Sequence, residues 1–397
     1  MTSVPSAGDA LASAAVRYTV LANDPAVPLV CATYWDDGEP FFRKADAAVE
    51  QFTGLDEAAT EARRGLIRDP YDGAAHDRLA RAVAGLLESR PEAGRELRQV
   101  VEEADRNIKI DYTFGPAYER TPEPITVAHL TERAARVRGT GPRSAAPLVH
   151  VVIPFRDHGE SRARNLMACL NALRDQSLPA GRYTVTVVEN DDRPRWAQAI
   201  EPAADDYRFI RSSGPFNKSW TVNVGVLTAA PEAALICVLD ADILPDRDFL
   251  RRYADLLTSS DAVGCRFFEM HCMDTASSAT AIGLRLSGPG GAVPSDRLRS
   301  YVITHVPGAC HWVTRATFLA MNGMDERYQG WGREDNDFVA RVAEQGRLIQ
   351  SDEPLLHMEH ERPPMRTPDG GLFNMGIDHD WSDGARRFGD PDAPSVP

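Results

Sequence analysis

The chain has 397 residues, with 44 Lys and Arg against 58 Asp and Glu, a formal charge of −14. Hydrophobic residues at 43% and charged residues at 26% are an ordinary globular balance, which excludes a disordered, collagen-like or disulfide-dense chain. The acidic balance argues against a nucleic-acid partner, whose binding rests on clustered Lys and Arg, and leaves open a phosphorylated ligand held through a metal ion.

Length predicts two to three domains of about 150 residues each. The first 29 residues lack a basic start followed by an apolar stretch, and Asp9 and Asp24 interrupt them, so no signal peptide is expected. The longest useful apolar run, Ala233 to Leu239, has seven residues, far short of the roughly 18 of a membrane span. The six cysteines are scattered without a C-x-x-C pair. A reduced, cytoplasmic protein with no transmembrane segment and no cysteine zinc site is expected.

Residues 1–138 read as a mostly helical domain. Leu29 to Trp35 is predicted as a strand ended by Asp36-Asp37-Gly38. Leu79, Val83, Leu86 and Leu87 follow helical spacing, as do Leu97, Val100, Val101, Ala104 and Ile108, with a break at Ser89-Arg90-Pro91. Arg68 to Asp72 reads as a turn. This half shows no catalytic constellation and is expected to serve acceptor binding or oligomerisation through its helices.

Residues 139–147 read as a linker, from Gly139-Thr140-Gly141-Pro142. Residues 148–382 change texture. Val149 to Pro154 and Tyr183 to Val188 are predicted strands, Ser161 to Asp175 a helix with Leu166, Leu170 and Leu173 on one face, the segment from Asn223 a helix, and Leu235 to Leu239 a buried strand. That alternation predicts an open α/β sheet. Met273 to Arg299, with Ser287-Gly288-Pro289-Gly290-Gly291, reads as a long flexible stretch bordering an acceptor site, and residues 383–397 as a frayed tail.

Four segments carry chemistry. In Leu235-Ile236-Cys237-Val238-Leu239-Asp240-Ala241-Asp242 an apolar strand ends in two carboxylates two residues apart. Positions i and i+2 of an extended chain share a side, and open α/β sheets bind ligands at the carboxyl ends of their strands. A divalent ion with oxygen ligands, Mg²⁺ or Mn²⁺ carrying a diphosphate, would reconcile the paired charges. A solvated turn, helped by Pro245, is the plainer reading of such a pair on its own.

In Gly330-Trp331-Gly332-Arg333-Glu334-Asp335-Asn336-Asp337 glycines flank an aromatic plate and carboxylates open a helix. Carboxylates in a first helical turn complement the dipole. Here an Asp is also placed to take a proton from an attacking hydroxyl. In His357-Met358-Glu359-His360 one of two histidines is expected to supply a nitrogen ligand, because an i, i+3 pair leaving a strand usually points two ways. In Phe216-Asn217-Lys218 and Asn223-Val224-Gly225, Lys218 and Asn223 are candidates for phosphate or ribose contacts, against a plain helix start.

The order of these segments resembles glycosyltransferases of the nucleotide-diphosphosugar (GT-A) fold over about residues 148–365. The start is similar to family-2 enzymes. The C-terminal half resembles β-1,4-galactosyltransferases and polypeptide N-acetylgalactosaminyltransferases. Ile153-Pro154-Phe155-Arg156 matches an I-P-F-R strand, Asp240-Ala241-Asp242 the D-x-D, Asn322-Gly323-Met324 an N-G-F, and the Trp331 segment G-W-G-G-E-D-D-D. The resemblance implies a GT-A sheet with an additional helical N-terminal region.

It also implies a UDP-sugar donor, Mn²⁺ or Mg²⁺, and a hydroxyl acceptor on a glycan, lipid or metabolite. Carried over, Asp242 is the main metal ligand with Asp240 near ribose and metal, and His360 completes the shell with His357 as the competing choice. Pro154, Arg156, Asn217, Lys218, Asn223 and Trp331 contact the donor, and Glu189 or Asp191 lies at its uracil and ribose end. Asp335 is the base, and Trp331, Glu334 and Asn336 help hold the acceptor.

Arg333 and Asn336 depart from the family pattern, which bears on loop closure and acceptor identity. Retained Asp335 implies inversion at the anomeric carbon. A retaining N-acetylgalactosaminyltransferase-like enzyme and a nucleotide-sugar hydrolase are the alternatives. The one-glycine segment after the first strand does not supply a phosphate loop for a nucleotidyltransferase, and no P-loop is present.

Overall fold

The computed structural model describes residues 7–136, 147–157, 159–287 and 291–394, so the expected linker lies largely outside the described residues. The described chain forms two compact units. Residues 1–121 together with 294–304 make the first, and residues 122–293 with 305–397 the second. The segment 294–304, read from sequence as part of the catalytic half, therefore belongs to the N-terminal unit.

The first unit contains α1 (Ala7–Asn23), α2 (Ala32–Thr53), α3 (Glu57–Arg68), α4 (Gly73–Ser89), α5 (Pro91–Asp105) and β1 (Ile110–Phe114). Asp56 caps α3 by accepting from the Ala59 amide, Asp72 caps α4 by accepting from the Ala74 amide, and Pro91 opens α5. Leu79, Val83 and Leu86 of α4 and Leu97, Val101 and Ala104 of α5 are all buried, as their spacing predicts.

The strand expected at Leu29 to Trp35 is not there. Val27–Leu29 is a short 3₁₀ turn and α2 already runs through Asp36-Asp37-Gly38. The buried stripe Ala32, Phe42, Ala45, Val49 and Phe52 extends helical spacing across that turn-like triplet. Gly38 serves packing rather than a turn, since a Cβ there would stand 2.8 Å from the Phe42 ring. β1 pairs antiparallel with the strand Arg299–Thr304, Ile110 opposite Ile303. Arg299, 1% exposed, donates to Asp24 at 2.5 Å and lies 4.3 Å from the Tyr71 ring.

The second unit runs through α6 (Val127–Arg136), β2 (Val149–Phe155), α7 (Glu160–Arg174), β3 (Tyr183–Asp191), α8 (Ala197–Ile200), β4 (Asp206–Arg211), α9 (Lys218–Thr228), β5 (Leu235–Leu239), α10 (Phe249–Thr258), β6 (Gly264–Phe267), β7 (Glu269–Met273) and α11 (Thr275–Leu286). The Arg299–Thr304 strand is β8. β9 (Cys310–Thr314), α12 (Arg315–Ala320), α13 (Glu334–Gln345), β10 (Leu348–Ser351) and β11 (Leu355–His357) follow.

Among the described residues seven strands form one sheet, in the order β10-β6-β9-β5-β2-β3-β4. β5, β2, β3 and β4 are parallel, β9 runs against β5, and β11 pairs in parallel with β7. The α/β class with a helical N-terminal region is as expected. Val152, Ile236, Val238, Val313, Phe318 and Phe338 form the core between the sheet and α9, α12 and α13.

Two loop expectations are corrected. Within Met273 to Arg299, Asp274 caps α11, whose Ala281, Ile282 and Leu286 are buried, while Gly288, Pro289 and Gly290 lie outside the described residues. The tail up to residue 394 is not frayed. Phe388 packs on Phe318, the Gly389 amide donates to Glu326, and the Trp220 indole donates to the Asp390 carbonyl. No helix among the described residues is long and apolar enough to cross a membrane.

Candidate active site

β5 delivers Asp240 and Asp242 at its carboxyl end, and the backbone fixes what faces them. The Met358 amide donates to the Asp242 carbonyl and the Leu244 amide to the Leu356 carbonyl, so the end of β11 lies along the D-x-D turn. His360 Nε2 stands 2.9 Å from Asp242 Oδ2, and His357 Nε2 stands 3.5 Å from Oδ1. Both rings therefore face one carboxylate, contrary to the expectation that only one would. β11 ends at His357, so the alternation of a strand no longer governs His360, and the ring centroids are 5.2 Å apart. His360 Nδ1 meets the Glu361 carbonyl, which aims Nε2 at Asp242.

This trio is a candidate metal centre, its ligand atoms all within 4.8 Å of one another. Asp242 is 3% exposed, and its Oδ1 has no hydrogen-bond partner. Burial opposes its charge, yet His357, His360 and Arg162 hold its carboxyl well below the usual range. Burial pushes the His357 imidazole down to about 3 against the pull of Asp242. Two imidazole nitrogens and a carboxylate oxygen are a donor set for a divalent transition-metal ion. Asp240, expected beside the metal, is not in the trio. Its carboxylate takes the Lys218 ammonium at 2.9 Å.

Lys218, first residue of α9, is the link to the second carboxylate cluster. Its Nζ lies 3.0 and 3.1 Å from the two oxygens of Asp335, in the first turn of α13. His311 on β9 adds a third contact, Nε2 to Asp335 Oδ1 at 2.8 Å. Burial raises the Asp335 carboxyl, but Lys218 and His311 outweigh it and hold the group well below its usual value. Burial and Asp335 push neighbouring Glu334 up to about 8, and its buried Oε2 has no hydrogen-bond partner.

These groups share one cavity of about 480 Å³. Pro154, Arg156, Lys218, Asp240, Asp242 and Trp331 line it, with Glu334, Asp335, His357 and His360. Trp331 rides between Gly330 (φ +77°) and Gly332 (φ +94°), and Arg333 is also left-handed at +78°. The Gly330 amide donates to the Phe216 carbonyl, and Asn374 donates to the Gly332 carbonyl.

Other expected contacts are not made in this way. The Arg156 guanidinium is occupied by the carbonyls of Asn190, Ser212 and Gly214. Glu189 accepts from the Tyr207 hydroxyl and the Arg195 amide, and Asp191 pairs with Arg195; neither lines the cavity. Asn217 caps α9, and Asn223 ties Met324 and Glu326 to that helix. Asn336 is exposed outside the cavity.

Phe216, from the Phe216-Asn217-Lys218 segment, also lines the cavity, as do Arg162, Arg362 and Phe373, which were not assigned a role. His311 was also missed, since a lone His in the apolar strand Cys310–Thr314 carries no motif. Arg162, on α7, faces Asp242 from 3.6 Å, a contact that no local motif announces.

Residues 150–316 match the model of glycosyl transferase family 2, and residues 299–368 match a domain described as the N-terminal domain of galactosyltransferase. The chain is 29% identical over 126 residues to glycosyltransferase AglE of Haloferax volcanii, covering 30% of this chain and 40% of that protein. It is 28% identical over 162 residues to human beta-1,4-galactosyltransferase 4, covering 40% of this chain and 35% of the relative. It thus spans well under two thirds of these curated relatives. A solved structure of Drosophila β-1,4-galactosyltransferase 7 with manganese, UDP-Gal and xylobiose is 19% identical at a TM-score of 0.30, covering 51% of this chain and 63% of that one.

Proposed function

We propose that this chain, whose residues 150–316 match the glycosyl transferase family 2 model, transfers a hexose or N-acetylhexosamine from a UDP-sugar to an acceptor hydroxyl with inversion. The observation that carries the reading is one cavity holding both the Asp242, His357 and His360 trio and the Asp335 carboxylate. A leaving-group centre and a base on one wall system are what glycosyl transfer to a hydroxyl requires.

Asp242, His357 and His360 would hold Mn²⁺ or Mg²⁺. Such an ion, when bound, supplies Lewis-acid stabilisation of the departing diphosphate. The chain's own residues do the rest. Arg162, Arg362 and Lys218 offer positive charge where phosphates would lie, which explains how an acidic protein takes an anionic donor. Asp335 accepts the proton of the attacking hydroxyl, and Trp331 and Phe373 provide flat apolar faces for sugar rings.

The test is release of nucleoside diphosphate from a panel of UDP- and GDP-sugars with Mn²⁺, with and without hydroxyl acceptors. Selective turnover of one UDP-sugar, accelerated by an acceptor, is expected. Release that no acceptor accelerates would favour hydrolysis, and absence of turnover and of thermal shift with every donor would refute the reading.

A further inference from the structure

His311 belongs to no motif, and the mechanism above does not use it. Its ring is 2% exposed on β9, an interior strand of the seven-stranded sheet, and packs edge-on against Phe338 at 5.1 Å. Nε2 points at Asp335 Oδ1 from 2.8 Å. The other donor to Asp335 is different in kind. Lys218 has a long flexible stem and a second carboxylate, Asp240, at 2.9 Å.

Asp335 can take a proton only on an oxygen that faces the acceptor. Oδ1 is shared by Lys218 and His311, while Oδ2 is touched by Lys218 at 3.1 Å. Gly308 lets the carboxylate lie against the backbone, since a Cβ there would stand 2.1 Å from Oδ2. When the diphosphate of a donor enters the cavity, Lys218 has an additional anion to follow, and His311 does not.

We infer that His311 is a positioning residue for the transfer step. Its Nε2–H anchors Oδ1 while Oδ2 receives the acceptor proton. The acceptor oxygen forms its bond to the anomeric carbon, the bond from that carbon to the diphosphate oxygen breaks, and the nucleoside diphosphate leaves with the electron pair. The hydrogen bond keeps the carboxylate plane aimed throughout, a role that a fixed donor fills and a mobile one does not.

The inference rests on Asp335 being the base. Its test compares His311→Gln, whose amide reaches about as far as Nε2, with His311→Leu, which removes the donor; His311→Asn, whose amide stops short, replaces the latter if it does not fold. The probes are UDP-galactose, UDP-N-acetylgalactosamine and UDP-N-acetylglucosamine with Mn²⁺, read as released UDP, and Asp335→Asn runs in parallel. We expect His311→Leu to lower kcat on the order of tenfold or more at unchanged donor KM, with His311→Gln restoring most of it. Equal loss in the Gln and Leu variants, loss confined to KM, or wild-type kcat in His311→Leu overturns the inference. Wild-type turnover in Asp335→Asn, or no turnover of any donor by the wild type, overturns the underlying reading, and the inference with it.

Discussion

The Lys218 ammonium sits between two carboxylates, 2.9 Å from Asp240 and 3.0 Å from Asp335, with its side chain only 9% exposed. Burial alone would strip its proton, but Asp240, Asp335 and Glu334 raise it above its usual value, so it stays charged at any working pH. One positive charge thus offsets two acidic groups that belong to different motifs.

Replacing Lys218 with Met takes the ammonium away from both carboxylates in a confined site and leaves Asp335 with His311 alone of its two side-chain donors. Removing one partner of a buried ion pair costs about 3–5 kcal/mol. We expect Lys218→Met to unfold at markedly lower temperature than wild type in calorimetry at pH 7. The double variant Lys218→Met with Asp335→Asn should recover part of that loss, because one of the stranded charges is gone. Equal melting of wild type and Lys218→Met would show that the cluster is not electrostatically coupled.

The metal trio makes a prediction independent of turnover. Binding to the folded state alone stabilises by about 2.7 kcal/mol at a ligand concentration a hundred times Kd. Mn²⁺ should therefore raise the melting temperature of the wild type. Asp242→Ala should abolish that rise, and His357→Ala and His360→Ala should each weaken it, since both Nε2 atoms face Asp242. A shift lost in His360→Ala but fully kept in His357→Ala would return the site to a single histidine ligand.

How much of this was legible in sequence depends on the range of the interaction. Val149 to Pro154, Leu235 to Leu239 and the helix at 161–175 announce themselves by periodicity, and Asp242, Asp335 and the histidines by short motifs. His311 and Lys218 become important only because β9, α9 and α13 converge on one carboxylate, a juxtaposition that no local pattern encodes. The placement of 294–304 is likewise tertiary, set by the pairing of Arg299–Thr304 with β1. Glu189 and Asp191 sat at the expected strand end but were already satisfied by Tyr207 and Arg195. Asn217 and Asn223 were legible as amides, and their use as a cap and a buried bridge was not.

Glu334 gives the pH prediction. Its carboxyl is pushed from 4.5 in the unfolded reference up to about 8 in the fold, by burial and then by Asp335. Between these values the unfolded chain has lost a proton that the folded chain still holds, so folding stability falls as pH rises. Below the lower value both states are protonated, and above the upper both are ionised. We expect the wild type to lose stability relative to Glu334→Gln from about pH 5 to pH 8, by roughly 1–2 kcal/mol after discounting for its partial exposure. Urea melts of both proteins across that range provide the measurement. Parallel curves would mean that Glu334 ionises normally.

Gly308 separates crowding at Asp335 from ordinary backbone strain. A methyl at this position would stand 2.1 Å from Asp335 Oδ2 and 2.9 Å from Cγ. Asp335 would have to leave its place between Lys218 and His311, so Gly308→Ala should depress kcat on the order of a hundredfold or more, as misplacement of a reacting group by about 1 Å does. Gly332 is the control. A Cβ there meets nothing within 4 Å, but the residue sits at φ +94° on the Trp331 loop. Gly332→Ala should cost about 1–3 kcal/mol of local backbone strain. Its kinetic effect should fall on loop closure, seen in substrate KM as well as kcat. Steady-state kinetics on both variants decide the matter: a Gly308→Ala enzyme with wild-type kcat would mean that Asp335 need not hold its observed position, and the assignment of that carboxylate as base would fall with it.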